Sequence, residues 1–286
     1  MAPCMKHAFL ILAHNEFRVL QALVSSLDDE RNDIFVHFDK KVKDIPDLKV
    51  DKAGLFVLGK RIGVYWGGFS MVRAEECLFE EAVARGPYQY YHLLSGVDLP
   101  LKSQDYIHDF FQRNSGKEFI TFESCNDEEV DNRMRYIHLF QRGFRDWTCI
   151  LYRVRGMFVQ AQKRLLLKRN REVVFYKGSQ WVSVSDGLAR KFVASRSWIR
   201  KVFNHTLIPD ESVFQTLCMC SSFKENVYDL SDEISGNQRL VNWDEGKVKY
   251  WSASDFATLE SSPAIFARKF NGSDPALLRD VLRLSR

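Results

Sequence analysis

The stretch from residue 62 to residue 103, IGVYWGGFSMVRAEECLFEEAVARGPYQYYHLLSGVDLPLKS, constrains the fold more than any other part of the chain. It places a glycine turn, a helix, a buried strand and a polar switch in immediate succession. Gly67 and Gly68 permit a tight turn and a close approach of the backbone to a ligand, and Ser70 is positioned to cap the helix that follows. Val72, Cys77, Leu78, Phe79, Ala82 and Val83 give that helix an apolar stripe, which Gly86-Pro87 ends. A helix N-terminus behind such a turn attracts anions. The next run, 90–94, is a compact apolar strand that passes into Ser95-Gly96-Val97-Asp98-Leu99-Pro100. Asp98 then stands either at the strand end where open α/β sheets bind ligands, or as a solvated cap of a strand-to-helix turn.

Strand-like and helix-like runs alternate through the first 125 residues: strands at 7–13, 33–39, 55–58, 90–94 and 118–122, with helices at 16–27 and after Ser70. That alternation predicts an α/β fold with a central, mostly parallel sheet flanked by helices. The loops leaving the first two strands carry His14 and Asp39, which would project into one crevice, with Asp39 suited to a uracil or ribose donor group and His14 equally readable as a capping or core histidine. A chain of 286 residues with 45% hydrophobic content buries one large core or two fused lobes, which excludes a disordered scaffold.

A net charge of +4 gives no general argument for nucleic acid, but local charge differs. Residues 133–171 hold eleven Lys or Arg against one acid, Asp146, interleaved with aromatics. Such a basic, aromatic excursion suits a phosphate-bearing or lipid-linked acceptor, an anionic membrane surface, nucleic acid, or simply a solvated face with aromatics tucked into the core; no nucleic-acid module accompanies it. The six cysteines, Cys4, Cys77, Cys125, Cys149, Cys218 and Cys220, are irregularly spaced and read as reduced core thiols. Cys218-x-Cys220 lacks a partner pair at zinc spacing. No apolar run reaches the roughly 18 residues of a membrane span, and the N-terminus lacks the features of a signal peptide.

The last third returns to α/β character. Residues 178–184 (GSQWVSV) read as an alternating strand, and Asp186 opens a helix after it. Residues 208–217 (IPDESVFQTL) begin another, with Asp210 as N-cap and Glu211 in its first turn, where the helix dipole would hold a carboxylate ionised and fit to accept a proton. Acidic residues are also favoured in first helical turns for structural reasons alone.

In order along residues 8–270, the segments LILAHN, VHFDKK, WGGFSMVRA, LLSGVDLPLKS, GSQWVSVS, PDESVFQT, RLVNW and FARKF resemble the core-2/I-branching β-1,6-N-acetylglucosaminyltransferases and their peptide O-xylosyltransferase relatives (glycosyltransferase family 14), in a smaller bacterial form. The stretch 133–171 has no assigned counterpart. The resemblance implies a GT-A-type glycosyltransferase fold with a Rossmann-like half, comprising one domain over 1–286 with a nucleotide-binding half (5–125), the basic excursion (126–175) and an acceptor and catalytic half (176–286). It implies an inverting transferase that moves a sugar, N-acetylglucosamine first and xylose next, from a UDP-sugar to a glycan hydroxyl without a divalent metal or other cofactor. No Asp-x-Asp triplet occurs in the chain.

Carried over onto this sequence, the family pattern puts the general base on Glu211 and the uridine contact on Asp39, with the turn at Gly67, Gly68 and Ser70 against the nucleotide. Cations on the leaving diphosphate fall on Lys269, with Arg268 a second candidate and one of Lys247 or Lys249 a third; fixed cations aimed at growing negative charge act as a metal ion would. Trp243 matches an acceptor-stacking aromatic, and Trp181 reads as lining the same cleft or as a core residue. Eukaryotic members carry a membrane anchor, a stem and luminal disulfides that this sequence does not display. The expected setting is therefore a bacterial cytoplasm, with contact on the inner face of the cell membrane as an option, and the expected acceptor is a surface glycan or lipid-linked saccharide. Alternatives are a non-catalytic nucleotide-sugar or glycan-binding relative, a polyanion-docking protein, and a metal-dependent UDP-sugar transferase of another family.

Overall fold

The first four strands of the computed structural model, which describes residues 6–124, 126–141 and 150–285, arise from the apolar runs that the alternation predicts. β1 (His7–Ala13) is buried along its whole length, is followed by α1 (Phe17–Ser26), and pairs in parallel with β2 (Asn32–Phe38). β3 (Gly54–Val57) adds in parallel to the far side of β2. After α2 (Ser70–Arg85) the chain returns as β4 (Tyr90–Ser95), parallel to β1 on its other side. β5 (Asp98–Pro100) and α3 (Gln104–Arg113) follow, then a short α4 (Asp127–Val130), one π-helical turn over Asp131–Arg135, and α5 (Ile150–Arg164). β6 (Ser183–Ser185) completes the main sheet, antiparallel to β4, in the order β3-β2-β1-β4-β6.

The rest of the chain runs through α6 (Asp186–Ala194), α7 (Arg196–Phe203), a 3-10 turn at Pro209–Glu211, α8 (Val213–Met219) and α9 (Glu233–Asn237). It then forms β7 (Arg239–Val241), a hairpin of β8 (Trp243–Asp244) and β9 (Lys247–Val248), α10 (Phe256–Ser261), β10 (Phe266–Arg268) and α11 (Pro275–Leu284). β10 lies antiparallel to β5 and parallel to β7, so a second, three-stranded sheet joins residues near 100 to residues near 240 and 267.

Both faces of the main sheet are covered, which is why its strands read as near-continuous apolar runs. Along β1, Ala8, Leu10 and Leu12 meet Leu78 and Phe79 of α2, Phe192 of α6 and Phe214 of α8. Phe9, Ile11 and Ala13 meet α1, α3 and α11 through residues such as Leu23, Phe111 and Val281. Cys77 and Cys218 are buried free thiols, as expected, whereas Cys220 is exposed at the end of α8. Cys4, Cys125 and Cys149 lie outside the described residues. Among the described residues no helix is long and apolar enough to cross a membrane, and no cluster of three or more His, Cys, Asp or Glu is arranged to hold a metal ion.

Two expected strands are largely absent. Residues 118–122 make only isolated bridges, Glu118 to Val227 and Phe119 to Ser183, and 178–184 contracts to Ser183–Ser185. The backbone there finds partners outside any ladder: Gly178 N donates to Glu211 O at 2.9 Å and Ser179 N to Thr121 Oγ1 at 2.9 Å. Gly178 is packed so closely that a Cβ would lie 1.9 Å from the Thr121 carbonyl oxygen. Gly178→Ala is therefore expected to lower stability by about 3 kcal/mol or more, since backbone on both sides must move; urea denaturation at neutral pH checks this, and a wild-type midpoint would refute the close packing.

Candidate active site

Parallel topology delivers two loops to one edge of the sheet, and the first contact there is backbone: Asp39 N donates to Ala13 O at 2.9 Å, tying the loop after β2 to the loop after β1. The Asp39 side chain is buried, accepts from Lys41 N at 2.8 Å and pairs with Lys41 Nζ at 3.3 Å. Lys41 Nζ also donates to Val64 O at 2.6 Å and sits 4.8 Å from the centre of the Tyr65 ring. His14 stands in the field of all these groups. Loss of water lowers its pKa most, Asp39 raises it, and Lys41 and Lys269 lower it. Lys269, 255 positions further along than His14, comes to the same sheet edge, where Gly96 N donates to Leu12 O at 2.9 Å and the residue after Lys269 is bonded to Val97.

Lys269 is held there by the second sheet. Its carbonyl accepts from Trp251 N at 2.8 Å, and Phe270 N donates to Val97 O at 2.9 Å, so both polar groups of the peptide that follows Lys269 are fixed. Beneath lies Asp98, 1% exposed, which accepts from Ser95 N at 2.8 Å and stands 3.2 Å from Arg268 Nε. Burial pushes the Asp98 carboxyl upward, and Arg268 is the strongest influence pulling it back. The Arg268 guanidinium lies 4.1 Å from the centre of the Trp181 ring, within cation–π range. Arg239 is also buried, donating to Ser183 Oγ at 2.9 Å and Val182 O at 2.8 Å; burial lowers its pKa to about 9, and Asp98 is the group that raises it. Asp98 is thus neither a solvated cap nor a group projecting into the crevice but the counterion of two interior arginines, and Trp181, 8% exposed, packs with them.

Glu211 occupies a different arrangement from the one its sequence context suggests. The helix starts later, with Ser212 in the N-cap position of α8, and Asp210-Glu211 belong to the preceding 3-10 turn. The dipole of α8 is therefore not what steadies the carboxylate. Arg133 does so, donating from Nη2 to Glu211 Oε2 at 3.0 Å and to Ile208 O at 3.0 Å. The Glu211 side chain is 33% exposed; burial raises its pKa, Arg133 lowers it, and Glu123 raises it further. Charges alternate around it, since Lys177 pairs with Glu123 at 2.9 Å and Glu129 at 3.1 Å, and Arg133 pairs with Glu129 at 3.3 Å. A cavity of about 290 Å³ lined by Phe122, Glu123, Ser124, Asp229, Leu230 and Asp232 opens beside this ring.

Behind Glu211, Asp210 is buried rather than capping a helix, and burial with the neighbouring Glu211 charge raises its pKa to about 7. Glu75 of α2 is wholly buried, accepts from Gln180 Nε2 at 2.7 Å, and is pushed well above its ordinary value by burial and by Asp210. Burial thus favours the neutral form of both carboxyls.

The glycine turn links the two ends. Ile62 O accepts from Lys40 N at 3.0 Å, and Gly67 O accepts from Ile208 N at 2.9 Å, so residues 62–68 span from the Asp39 loop to the Glu211 loop. Gly67 has φ 76°, and a Cβ on Gly68 would lie 3.1 Å from Gln141 Cβ. Ser70 does not cap α2, whose N-cap position is Phe69; its Oγ closes the turn by accepting from Tyr65 N at 2.8 Å. Trp243 is 60% exposed on the β8–β9 hairpin. Lys249 is paired on that same hairpin with Asp244, and Asn242 N reaches Arg268 O at 3.4 Å.

His14, Asp39 and Lys269 are thus brought together, Gly67, Gly68 and Ser70 connect them to Glu211, Asp98, Arg268 and Trp181 form a supporting layer, and Trp243 and Lys249 sit on the hairpin. Lys41, Arg133, Asp210 and Glu75 acquire roles that local sequence does not signal. Only the spacing of Lys41 two residues after Asp39 offered a hint.

A family model described as Core-2/I-Branching enzyme matches residues 7–260. The human N-acetyllactosaminide beta-1,6-N-acetylglucosaminyl-transferase is 22% identical over 97% of this chain and 71% of its own length. Canine xylosyltransferase 2 is 22% identical over 95% of this chain, which spans 32% of that longer protein. The apo crystal structure of mouse xyloside xylosyltransferase 1 aligns with 92% of this chain and 96% of that one at 11% identity, with a TM-score of 0.39.

The supporting layer has a direct test. Asp98→Asn removes the ion-pair partner of Arg268 and the negative charge that acts on the buried Arg239, and is expected to cost about 3–5 kcal/mol; a guanidinium unfolding midpoint equal to that of wild type would overturn this role.

Proposed function

The chain belongs to the Core-2/I-branching enzyme family, and on that premise we propose that it is an inverting glycosyltransferase that moves a sugar from a UDP-sugar to a glycan hydroxyl without a divalent metal. The observation that carries this reading is the position of Lys269 at the carboxyl edge of the sheet that also carries His14 and Asp39: Gly96 N donates to Leu12 O and Phe270 N to Val97 O, each at 2.9 Å. Asp39 accepts a hydrogen bond from the uridine of the donor, and Lys269 faces the diphosphate. Negative charge grows on that diphosphate as the bond to the anomeric carbon breaks, and a cation already in place stabilises it without reorganisation.

Glu211, as its carboxylate, takes the proton of the acceptor hydroxyl while that oxygen forms the new bond from the opposite face. UDP leaves with the bonding electrons, and one displacement inverts the anomeric centre. Arg133 holds the carboxylate in place, and the Gly67–Gly68 turn sets its distance from the donor. The acceptor enters by the cavity beside Glu123, with Trp243 available to cover the apolar face of a pyranose. N-acetylglucosamine is the first donor sugar to test and xylose the next. The acceptor class we favour is a bacterial surface glycan or its lipid-linked precursor.

UDP release from UDP-N-acetylglucosamine and UDP-xylose in EDTA tests the reading. Turnover is expected to persist in EDTA and to fall about 100-fold in Lys269→Ala; with an acceptor, Glu211→Gln is expected to lose about 10²–10⁴ in kcat. Activity abolished by EDTA and restored by Mn²⁺ would replace it with a metal-dependent mechanism, and failure to bind either donor would end it.

The pH profile follows from the position of Glu211. A base whose pKa is raised is protonated, and idle, up to a higher pH, so kcat/KM is expected to fall on the acid side through a pKa above the ordinary glutamate value. Arg133→Gln removes the cation that lowers this pKa and is expected to move the acid limb to higher pH. An unmoved limb would assign the titration to another group.

A further inference from the structure

α5 is docked by its polar side and turns its apolar side outward, the reverse of an ordinary surface helix. Its inward residues Arg155 and Gln162 are buried, and the Gln162 amide clamps Ile137 by accepting from its N at 2.9 Å and donating to its O at 3.0 Å. Ile150 and Met157 are each 73% exposed, and at about 100° per residue Ile150, Val154, Met157 and Ala161 share one arc about 60° wide. Leu165, Leu166 and Leu167, which follow at once, are 68%, 73% and 57% exposed.

This leucine turn is not a fraying end. Its backbone is bonded at Leu165 N to Ala161 O (3.0 Å), at Leu167 N to Gln162 O (2.9 Å) and at Leu166 O to Arg171 Nη2 (2.9 Å). Three leucine side chains are therefore presented to solvent from a fixed scaffold, next to the helix face that carries Met157. Contiguous apolar surface of this kind marks a contact site. Its borders identify the partner: Arg153 and Arg164 are exposed beside it, as are Lys168, which pairs with Asp131, and Arg171, which also donates to Leu166 O, with Glu172 the one acid between residues 150 and 174.

We propose that the outer face of α5 and the Leu165–Leu167 turn insert into the headgroup region of an anionic lipid bilayer, with the flanking cations on the lipid phosphates. An interfacial helix of this type lies in the membrane plane and binds through buried apolar area together with attraction to anionic lipid. This narrows the expectation attached to residues 133–171, because several of its cations are engaged within the protein. Arg133 holds Glu211, Arg135 donates to Val173 O at 3.2 Å, and Arg169 donates to Asn204 O at 2.8 Å and Lys201 O at 2.6 Å. Insertion of leucine, not general positive charge, makes the contact. If the transferase reading holds, the surface places the site where a lipid-linked acceptor is found; the surface itself does not depend on that reading.

The test is flotation of the full chain with phosphatidylcholine vesicles made with and without phosphatidylglycerol, at low and high salt. Wild type is expected to float with the anionic vesicles and to keep part of that binding at high salt, as electrostatic contact alone would not. Leu165→Ser/Leu166→Ser/Leu167→Ser and, separately, Met157→Asp are expected to reduce the bound fraction at least about tenfold while keeping wild-type circular dichroism and donor hydrolysis. Glu211→Gln should float like wild type, which separates failure of this proposal from failure of the catalytic one. The proposal is overturned if wild type does not float, if the leucine variant floats equally well, if high salt removes all binding, or if sedimentation shows the leucine face buried in a dimer of this chain.

Discussion

One buried carboxylate, Asp98, pairs with Arg268 and draws on the buried Arg239 through their opposite charges, and the join between the two sheets depends on it. It lies on β5, Arg268 on the antiparallel neighbour β10, and Arg239 on β7 beyond that. Arg239 reaches across to Val182 and Ser183 at the edge of the main sheet, and Asp98 accepts from Ser95 at the end of β4. Interior charges of this kind are tolerated only when compensated, and removing one partner leaves another stranded. The residue after Arg268 is Lys269. An ion pair inside the fold thereby sets where a cation stands outside it.

At the opposite end of the glycine turn, desolvation decides which carboxyl carries charge. Glu75 and Asp210 lie closest to the core, and burial is the largest influence on each, so they favour the neutral form. Glu211 is also raised by burial, but it alone of the three meets a guanidinium at hydrogen-bond distance and keeps part of its surface in water. Three acids in a row would repel if all were ionised. Graded burial instead favours charge on the one that keeps an arginine partner and access to water.

Legibility in the sequence followed the kind of interaction. β1, β2 and β4 are buried on both faces and were plain as apolar runs, and the carboxyl-edge position of His14 and Asp39 follows from parallel topology. Lys269 has no such local signal, and only the motif resemblance singles it out. The segments near 120 and 180 have strand-like composition, yet side-chain hydroxyls and a glycine contact take up their backbone groups, which periodicity does not encode. Ser70 and Asp210 have cap-like residue types, but a nearby turn and a buried pocket claimed them. Arg133 and Glu211 are 78 positions apart, and only tertiary structure pairs them.

The basic stretch shows why charge content alone misdirects. A guanidinium carries five donors, and irregular backbone needs donors for its carbonyls, so a loop-rich excursion can use arginine as internal mortar. Arg135 and Arg169 both donate to backbone carbonyls in or beside this stretch. The same composition would have looked identical had those arginines faced solvent. What distinguishes the cases is where the apolar side chains went: a helix that buries Gln162 and exposes Met157 has oriented itself against the hydrophobic effect acting within its own fold. That orientation makes sense when a second apolar phase lies outside.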